Sequence, residues 1–428
     1  MKKKRVLVLS IDAMTGEDLA FAENLPNFGR LIRNCALATQ VESVFPSLTY
    51  PCHVSMATGC SPAHTGVLNN EIFLPDTLKR PWYFYNSQIA RPTIFESARQ
   101  AGISTGCVMW PCMGNGPIDV LVPEIWGKTP NEPFLEPFCS AGSEGFIREI
   151  WPLVSDIPQG FNQPMFDTFV IAMACEVIRR QRSELLYVHI CQVDNAKHYY
   201  GLGSPEVQQA LLRTDQLLGQ LLCALDDVKL RDDTNIVLCS DHGQQPVTHV
   251  SYPNRLLAAH GFLSPAHNAD IETWRAQVQS VCLSAFVYAD SRQSARQALE
   301  LLSLPENKRT LGIADVLTKE TAESRFHLTG DFSAVLLGQP GVYFHNALDI
   351  GPFLLPIEES GLKYKANHGH DPLQGEKPFF LIFGPNARPG VRIQTMKLID
   401  EAPTIAALMG FSLPQADGHP QTCLLAEL

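Results

Sequence analysis

The sequence has no long apolar run and no excess of basic residues. Its most apolar helical stretch, Phe166–Ile178, is interrupted by Asp167 and Glu176, so no segment is long enough to span a bilayer. The formal net charge is −11, which leaves no basic excess to replace the counterions around a nucleic-acid backbone. These two absences predict a protein that neither crosses a membrane nor binds a nucleic-acid polymer.

The sequence also lacks CxxC pairs, internal repeats and low-complexity segments. Its 12 cysteines are scattered, so we expect reduced thiols rather than a disulfide framework. The basic start, Met1–Arg5, is followed by the short apolar run Val6–Ser10 and then by Asp12. A secretory signal would continue its apolar core there. We therefore predict a first β-strand and a cytoplasmic location, and the sequence indicates no oligomeric state.

Short β-branched runs alternate with helical patterns along the 428 residues. This alternation predicts an α/β fold with a mostly parallel sheet and helices on both faces. The predicted strands are Val6–Ile11, Leu37–Val44, Ser104–Met109, Leu185–Cys191, Asn235–Cys239 and Pro378–Phe383. The predicted helices are Pro26–Asn34, Val54–Thr58, Thr93–Ala101, Pro205–Asp227 and Glu401–Met409, the last capped by Asp400.

Between Gly261 and Tyr364 the pattern changes. Ser284–Ala289 and Arg292–Leu302 form a predicted βα unit, and residues 332–344 a predicted hairpin around Gly338-Gln339-Pro340. We interpret residues 261–364 as an inserted α+β cap that borders the site and shapes specificity. Residues 1–260 and 365–428 then form the core domain.

Thr49 lies between the turn Phe45-Pro46-Ser47 and a predicted helix. The unpaired N–H groups and the positive dipole of a helix start suit an anionic phosphoryl group. A threonine before a helix is more often an N-cap than a nucleophile, so Thr49 alone decides nothing.

Three acids each follow an apolar strand: Asp12, Asp194 and Asp241. Ligand sites of open α/β sheets lie beyond the carboxyl ends of the strands, so we expect the three carboxylates at one edge. Asp194 and His198 are four residues apart and lie on one helix face, which offers zinc an oxygen and a nitrogen ligand.

Each of these residues, taken alone, also has an ordinary structural interpretation, such as a surface histidine or an aspartate at a strand end. Taken together, the residues supply ligands for two Zn²⁺ ions, although other divalent metals fit the same donors. One ion would take Asp194, His198 and His368. The other would take Asp12, Asp241, His242 and the oxygen of Thr49.

The chain resembles the alkaline phosphatase superfamily, and most closely its nucleotide pyrophosphatase/phosphodiesterase branch. The matching segments occur in the family's order: Leu9-Ser10-Ile11-Asp12, Phe45–His53, Ala57-Thr58-Gly59, His64-Thr65-Gly66-Val67, Asp194 with His198, Ser240-Asp241-His242-Gly243 and His368-Gly369-His370-Asp371. The resemblance implies an alkaline-phosphatase-like fold, two metal ions, usually zinc, and a threonine nucleophile. It also implies hydrolysis of phosphodiester or pyrophosphate bonds in a small phosphate-containing substrate.

One position departs from the family pattern. Cys52 stands where many relatives have an asparagine whose amide helps to hold a phosphoryl oxygen, and a thiol is a weak donor. We expect the backbone N–H of Tyr50 and the metals to hold that oxygen, with Asn69 and Asn70 as further candidates. The resemblance also places Trp110 near the pocket.

Several rival functions stay open. A phosphonoacetate hydrolase would need a cation for the substrate carboxylate, for which Lys197 is a candidate, and a phosphomonoesterase would need an arginine or a third metal. A catalytically dead binding protein would have lost a ligand or Thr49, and neither is missing. The sequence disfavours a sulfatase, which would need a cysteine or serine nucleophile followed by arginine, because Thr49 holds that position. The aromatic residues that follow the nucleophile segment could stack on a nucleotide base or pack cap against core: Phe73, Trp82, Tyr83, Phe84 and Tyr85.

Overall fold

The computed structural model describes residues 4–127, 132–158, 160–266 and 270–426. Its strands, in chain order, are β1 (Arg5–Ile11), β2 (Ala36–Glu42), β3 (Thr105–Val108), β4 (Val120–Val122), β5 (Leu185–Ile190), β6 (Thr234–Cys239), β7 (Gln245–Pro246), β8 (His249–Ser251), β9 (Leu263–Pro265), β10 (Ile271–Trp274), β11 (Ala276–Val281), β12 (Ser284–Ala289), β13 (Ile313–Thr318), β14 (Ala334–Gly338), β15 (Val342–Phe344), β16 (Leu354–Pro356), β17 (Ala366–Asn367), β18 (Phe380–Phe383) and β19 (Arg392–Lys397).

The helices, also in chain order, are α1 (Leu19–Ala22), α2 (Pro26–Ile32), α3 (Thr49–Thr58), α4 (Pro62–Thr65), α5 (Ile94–Gln100), α6 (Glu136–Ala141), α7 (Glu144–Val154), α8 (Met165–Arg179), α9 (Gln192–Tyr200), α10 (Pro205–Asp227), α11 (Pro253–Ala259), α12 (Arg292–Ser303), α13 (Pro305–Thr310), α14 (Lys319–Phe326) and α15 (Glu401–Met409). None of these helices is both long and apolar enough to cross a membrane.

An eight-stranded sheet forms the centre of the molecule, in the order β19-β2-β18-β6-β1-β5-β3-β4. All of its pairings are parallel except those of β18, which runs antiparallel to β6 and β2. The strands β5 and β6 are buried along their whole length, because helices cover both faces of the sheet. The predicted α/β fold with a mostly parallel sheet is therefore confirmed.

The predicted helices of the core are confirmed within a few residues, and α10 has the predicted bounds. Its start follows from local chemistry, since the Ser204 hydroxyl accepts the Val207 N–H and Pro205 occupies the first turn. The predicted cap of α15 is wrong. The Asp400 carboxylate turns away from its own helix and accepts the His419 N–H at 2.9 Å and the Gln421 side chain at 2.9 Å.

Residues 276–338 build a separate antiparallel sheet in the order β11-β12-β14-β13. One face packs on α12, while the other contributes Phe286 and Leu317 to a cluster that includes Phe45 and Leu48. The predicted βα unit is present as β12 and α12. This sheet therefore reaches the chain segment that leads into Thr49.

The predicted hairpin at residues 332–344 is wrong. Strand β14 pairs with β12 and β13, whereas β15 pairs in parallel with β8 in a three-stranded sheet that also contains β16. The segment around Gln339 thus connects two different sheets. Because β8 precedes residue 261, this sheet also crosses the predicted boundary between core and cap, and the domain division itself stays a prediction.

Candidate active site

Three neighbouring strands carry the site's acids to one edge of the central sheet. The strands β6, β1 and β5 are adjacent and parallel, so their carboxyl ends lie side by side. Asp12 directly follows β1, and Asp241 lies just beyond β6. The backbone N–H of Ala13 donates to Asp241 Oδ1 at 3.2 Å, which ties the two strand ends together. The convergence of these acids follows from parallel topology, as predicted.

A first ligand cluster contains Asp194, His198 and His368, whose potential ligand atoms all lie within 4.8 Å of one another. The i, i+4 spacing on α9 brings His198 Nε2 within 3.2 Å of Asp194 Oδ2. The other ring nitrogen, Nδ1, donates to the Ala366 carbonyl at 2.9 Å. That bond holds the ring so that Nε2 points into the cluster, an arrangement common among histidines that bind metals.

A second cluster contains Asp12, Asp194 and His242, again with ligand atoms within 4.8 Å of one another. His242 Nε2 also lies 3.1 Å from Asp241 Oδ2 and 3.6 Å from Asp12 Oδ1. Asp194 therefore belongs to both clusters, whereas the sequence interpretation had assigned it to the first alone. The rings of His242 and His368 stack with centroids 4.0 Å apart, so the two clusters form one continuous centre.

The chemistry of these donors fits a pair of cations. Asp12 Oδ1 and Asp241 Oδ2 are buried and find no hydrogen-bond partner among the described residues. Burial and the charge of Asp194 raise the pKa of Asp12 to about 7, and burial and the charge of Asp12 raise that of Asp241 well above its usual value. Burial lowers the pKa of His368 to about 3, which keeps its imidazole neutral. Crowded carboxylates beside neutral imidazoles are what bound zinc stabilises.

Thr49 is the accessible residue of an otherwise buried helix. It is the first residue of α3, where it is partly exposed, and Tyr50–Thr58 are all buried. Leu48 occupies the N-cap position, and α3 has no side-chain cap, so the N-cap interpretation of Thr49 is wrong. Instead, the Thr49 hydroxyl lies 3.3 Å from His242 Nε2, at the rim of the second cluster.

The comparisons with known proteins agree with this geometry. The family model described as type I phosphodiesterase / nucleotide pyrophosphatase matches residues 6–375. The chain belongs to this family. The predicted resemblance to the nucleotide pyrophosphatase/phosphodiesterase branch is thereby confirmed.

The alignments with individual relatives cover different lengths of the chain. Human ectonucleotide pyrophosphatase/phosphodiesterase family member 1 is 25% identical over 248 residues, which cover 56% of this chain and 23% of the relative. The chain thus spans about a quarter of the length of the curated relatives that it matches first. The mouse bis(5'-adenosyl)-triphosphatase is 23% identical over 443 residues, covering 99% of this chain and 82% of that protein.

Solved structures of family members have the same fold. Human ectonucleotide pyrophosphatase / phosphodiesterase 5 superposes with a TM-score of 0.70 at 18% identity, covering 99% of this chain and 100% of that one. The murine protein gives a TM-score of 0.67 at 20% identity with the same coverage. At this identity the superposition establishes the fold and no residue role.

In this phosphodiesterase-family chain the side chains of Cys52, at the position of the family asparagine, and Trp110, predicted near the pocket, are both fully buried. The Cys52 thiol, on α3, lies 3.2 Å from the Ser43 hydroxyl. Trp110 lies beneath the same helix and donates from Nε1 to the His53 carbonyl at 3.0 Å. Burial and then the charge of Asp241 raise the pKa of the Cys52 thiol well above its usual value, so the thiol lies near that carboxylate but is not exposed to a substrate.

The remaining predicted contacts occupy other positions than expected. The Tyr50 N–H, predicted to hold a phosphoryl oxygen, donates to Asn70 Oδ1 at 3.0 Å. Asn70 therefore lies directly beside the start of α3, as a substrate contact must. Asn69 instead donates to the Ser280 carbonyl at 3.0 Å and accepts the Asn70 N–H, so its amide braces a loop against β11. The prediction for Asn69 is wrong.

The aromatic residues after α3 have mixed roles. Phe73 stacks on Tyr288 of β12 with centroids 3.6 Å apart, which is packing between the predicted cap and core. Trp82 is partly exposed and meets the Tyr50 ring edge-on at 5.1 Å.

Sequence reasoning missed three residues around the proposed metal ligands: Gln244, His189 and Glu124. Gln244 donates to Asp194 Oδ1 at 2.6 Å, and it could have been found as the residue that follows Ser240-Asp241-His242-Gly243. His189 bridges Asp12 and Glu124 with contacts of 3.1 and 3.0 Å. A histidine within the apolar strand β5 was the available signal for it. Burial by itself lowers the pKa of His189. Its hydrogen bonds to Asp12 and Glu124 outweigh this effect and raise the pKa well above its usual value.

Lys197 does not face the site. Its ammonium is buried and donates to Asp18 Oδ2 at 2.7 Å and to the Ala13 carbonyl at 2.9 Å. These bonds tie α9 to the loop after β1, which carries Asp12. Lys197 is therefore unable to bind a substrate carboxylate, and the phosphonoacetate alternative loses its candidate cation.

We expect Lys197→Met to lower the free energy of unfolding by about 3–5 kcal/mol, because it leaves the largely buried Asp18 carboxylate without its cationic partner. Urea denaturation measures this change, and Lys363→Met, at an exposed lysine, is the control. Unchanged stability together with a raised KM would instead place Lys197 at the substrate.

Proposed function

We propose that the protein is a two-zinc phosphodiesterase of the nucleotide pyrophosphatase type. It hydrolyses phosphodiester or phosphoanhydride bonds through a phosphothreonine intermediate on Thr49. The observation that carries this proposal is the Thr49 hydroxyl 3.3 Å from His242 Nε2, at the rim of the joined ligand clusters. An N-cap threonine would have no reason to lie against such a group of ligands.

Residues of both clusters would hold the metals. Asp194, His198 and His368 offer three protein ligands, a number that leaves a catalytic zinc an open position. Asp12, Asp241 and His242 would hold the second ion beside Thr49. When bound, the ions supply Lewis-acid chemistry that polarises the phosphoryl group and favours the ionised hydroxyl.

The chain itself positions the nucleophile. The buried helix α3 presents the Thr49 oxygen for attack on phosphorus, and the bond to the leaving oxygen breaks as the threonine ester forms. Water then hydrolyses the ester and restores the hydroxyl. Gln244 holds Asp194 Oδ1, so the shared carboxylate keeps its orientation during both steps.

Asn70 is our candidate for the group that holds a phosphoryl oxygen. Its Oδ1 accepts the Tyr50 N–H, so the amide plane is fixed next to Thr49 and its NH₂ group can serve as donor. We expect Asn70→Asp to keep the bond to Tyr50 and lower kcat/KM about 10²–10³-fold, because a donor to the developing charge becomes an anion. A melting temperature near that of the parent protein is part of this expectation. Parental kcat/KM would remove Asn70 from this role.

A nucleotide is the proposed substrate class. An inactive variant of murine ectonucleotide pyrophosphatase / phosphodiesterase 5 was solved in complex with AMP, and a further relative is named bis(5'-adenosyl)-triphosphatase. A panel of nitrophenyl phosphodiesters, nitrophenyl phosphate, dinucleotide pyrophosphates and phosphonoacetate tests this. Zinc-dependent turnover of a diester or pyrophosphate supports the proposal, whereas turnover of only the monoester or the phosphonate contradicts it.

We also propose that residues 261–364 act as a cap on this site. The Leu283 N–H donates to the His368 carbonyl at 3.0 Å, and the Ser284 hydroxyl donates to the Gly369 carbonyl at 2.6 Å. These bonds brace the loop that carries a metal ligand against β12. The cytoplasmic location likewise stays a prediction.

A further inference from the structure

A buried series of hydrogen bonds lies behind the ligand clusters and runs from Asp12 to Tyr50. Asp12 Oδ2 is 3.1 Å from His189 Nε2, and His189 Nδ1 is 3.0 Å from Glu124 Oε2. The Tyr50 hydroxyl donates to the other oxygen of Glu124 at 2.9 Å. We call His189 and Glu124 the bridge, since they connect a proposed metal ligand to the residue after the nucleophile.

The bridge joins separate parts of the fold in a dry environment. His189 lies on β5, Glu124 follows β4, and Tyr50 is the second residue of α3. The relative exposures of Asp12, His189, Glu124 and Tyr50 are 2%, 4%, 6% and 0%. Buried polar groups are costly unless they are paired, so each member holds its neighbours strongly in place.

At one end, the bridge orients the Asp12 carboxylate. His189 engages Oδ2, which leaves Oδ1 without a hydrogen-bond partner among the described residues and 3.6 Å from His242 Nε2. A carboxylate whose second oxygen is held in this way presents the first oxygen to a metal in a single orientation.

At the other end, the bridge fixes the first turn of α3. The Tyr50 ring packs among Val54, Val67 and Cys112, its hydroxyl is held by Glu124, and its N–H by Asn70. Thr49 precedes this immobilised residue, so its hydroxyl has little freedom. A displacement of about 1 Å in such a group can cost about 10²-fold in rate.

We propose that His189 and Glu124 are positioning residues that couple cation binding at Asp12 to the placement of the Thr49 hydroxyl. The inference rests on the proposed function, because it assumes a metal at Asp12 and a nucleophile at Thr49. Neither bridge residue touches the substrate. Each acts through the residue at its end of the bridge.

The test compares His189→Gln, Tyr50→Phe and the double variant with the parent protein. A control is Tyr187→Phe, since the Tyr187 hydroxyl is buried on the same strand as His189 and has no hydrogen-bond partner among the described residues. Titration of the metal-free proteins with Zn²⁺ against a chromophoric chelator gives the affinities, and a nitrophenyl phosphodiester gives kcat and KM at saturating Zn²⁺.

A glutamine amide is unable to donate to carboxylates on opposite sides, so His189→Gln should weaken one of two zinc equivalents about 10–100-fold and leave the other unchanged. Tyr50→Phe should lower kcat about 10-fold with little change in KM, because a misplaced nucleophile affects the transition state more than substrate binding. The double variant should be no slower than the slower single variant, since both substitutions break the same bridge. Tyr187→Phe should behave as the parent.

Parental zinc affinity in His189→Gln, or rate losses that multiply in the double variant, would overturn the proposal. Circular dichroism and thermal melting establish that each variant is folded. If His189→Gln does not fold, the more conservative Tyr50→Phe variant still tests the proposal. Failure of the proposed function would be seen in the parent protein as the absence of two tight zinc equivalents, and would overturn the bridge with it. If only the bridge proposal fails, the parent protein still binds two zinc equivalents tightly.

Discussion

Replacement of Thr49 by alanine should lower the turnover of a nitrophenyl phosphodiester by about 10³-fold or more while both zinc ions stay bound. The hydroxyl is the only group of Thr49 that can attack phosphorus, and alanine removes it without disturbing the buried residues of α3. Thr49→Ser should keep part of the activity, because serine retains a nucleophilic oxygen at the same position. Steady-state kinetics measures the effect, and metal analysis establishes that the ions are still present.

A matched control and a chemical trap sharpen this prediction. Thr321→Ala changes an exposed threonine on α14 and should have parental turnover. Acid quenching during turnover of the parent protein should yield a peptide whose mass shows a phosphoryl group on Thr49. Near-normal turnover of Thr49→Ala would exclude Thr49 as the nucleophile.

Removal of metal should have the second large effect. Dialysis against a chelator should abolish hydrolysis, and Zn²⁺ should restore it, because the clustered carboxylates would repel an anionic phosphoryl group in the absence of cations. The metal-free protein should also melt at a lower temperature, since a ligand present at 1,000 times its Kd stabilises the folded state by about 4 kcal/mol per site. Differential scanning fluorimetry and metal analysis measure both changes. Full activity after verified loss of both metals would contradict the proposed function.

The contribution of Asp12 to the stability of the metal-free protein should fall as the pH rises from about 4 to about 7. The folded-state pKa of Asp12 is raised from 3.8 to about 7 by burial and by Asp194, so the folded state binds the extra proton within this window. At Asp12 the unfolded state binds fewer protons there, so deprotonation of this carboxyl favours unfolding, whereas His368, whose pKa is lowered by burial to about 3, acts in the opposite direction. Bound zinc should suppress this dependence, because a cation favours the ionised carboxylate.

The parts of the site that were predictable from sequence are those set by local pattern. Asp12 and Asp241 each follow a continuous apolar strand, and parallel strands bring their carboxyl ends to one edge of a sheet. The four-residue spacing of Asp194 and His198 predicts that both side chains lie on the same face of a helix. These inferences need only strand ends and helical periodicity.

The parts that sequence reasoning missed depend on partners distant in the chain. Cys52 and Trp110 lie near Thr49 in sequence or motif order, but both side chains are fully buried in the packing around α3. The wrong prediction of a hairpin at residues 332–344 has the same origin, because β15 pairs with the distant strand β8 rather than with its neighbour β14. His189 gave only the signal of a polar residue in an apolar strand, and its two carboxylate partners were not readable from spacing.

Anomalous X-ray scattering at the zinc absorption edge, from crystals of the zinc-loaded protein, tests the central claim most directly. We predict two peaks at the edge of the central sheet, one among Asp194, His198 and His368, the other among Asp12, Asp241 and His242 within reach of the Thr49 oxygen. Peaks confined to the protein surface, or a single peak remote from Thr49, would contradict the account.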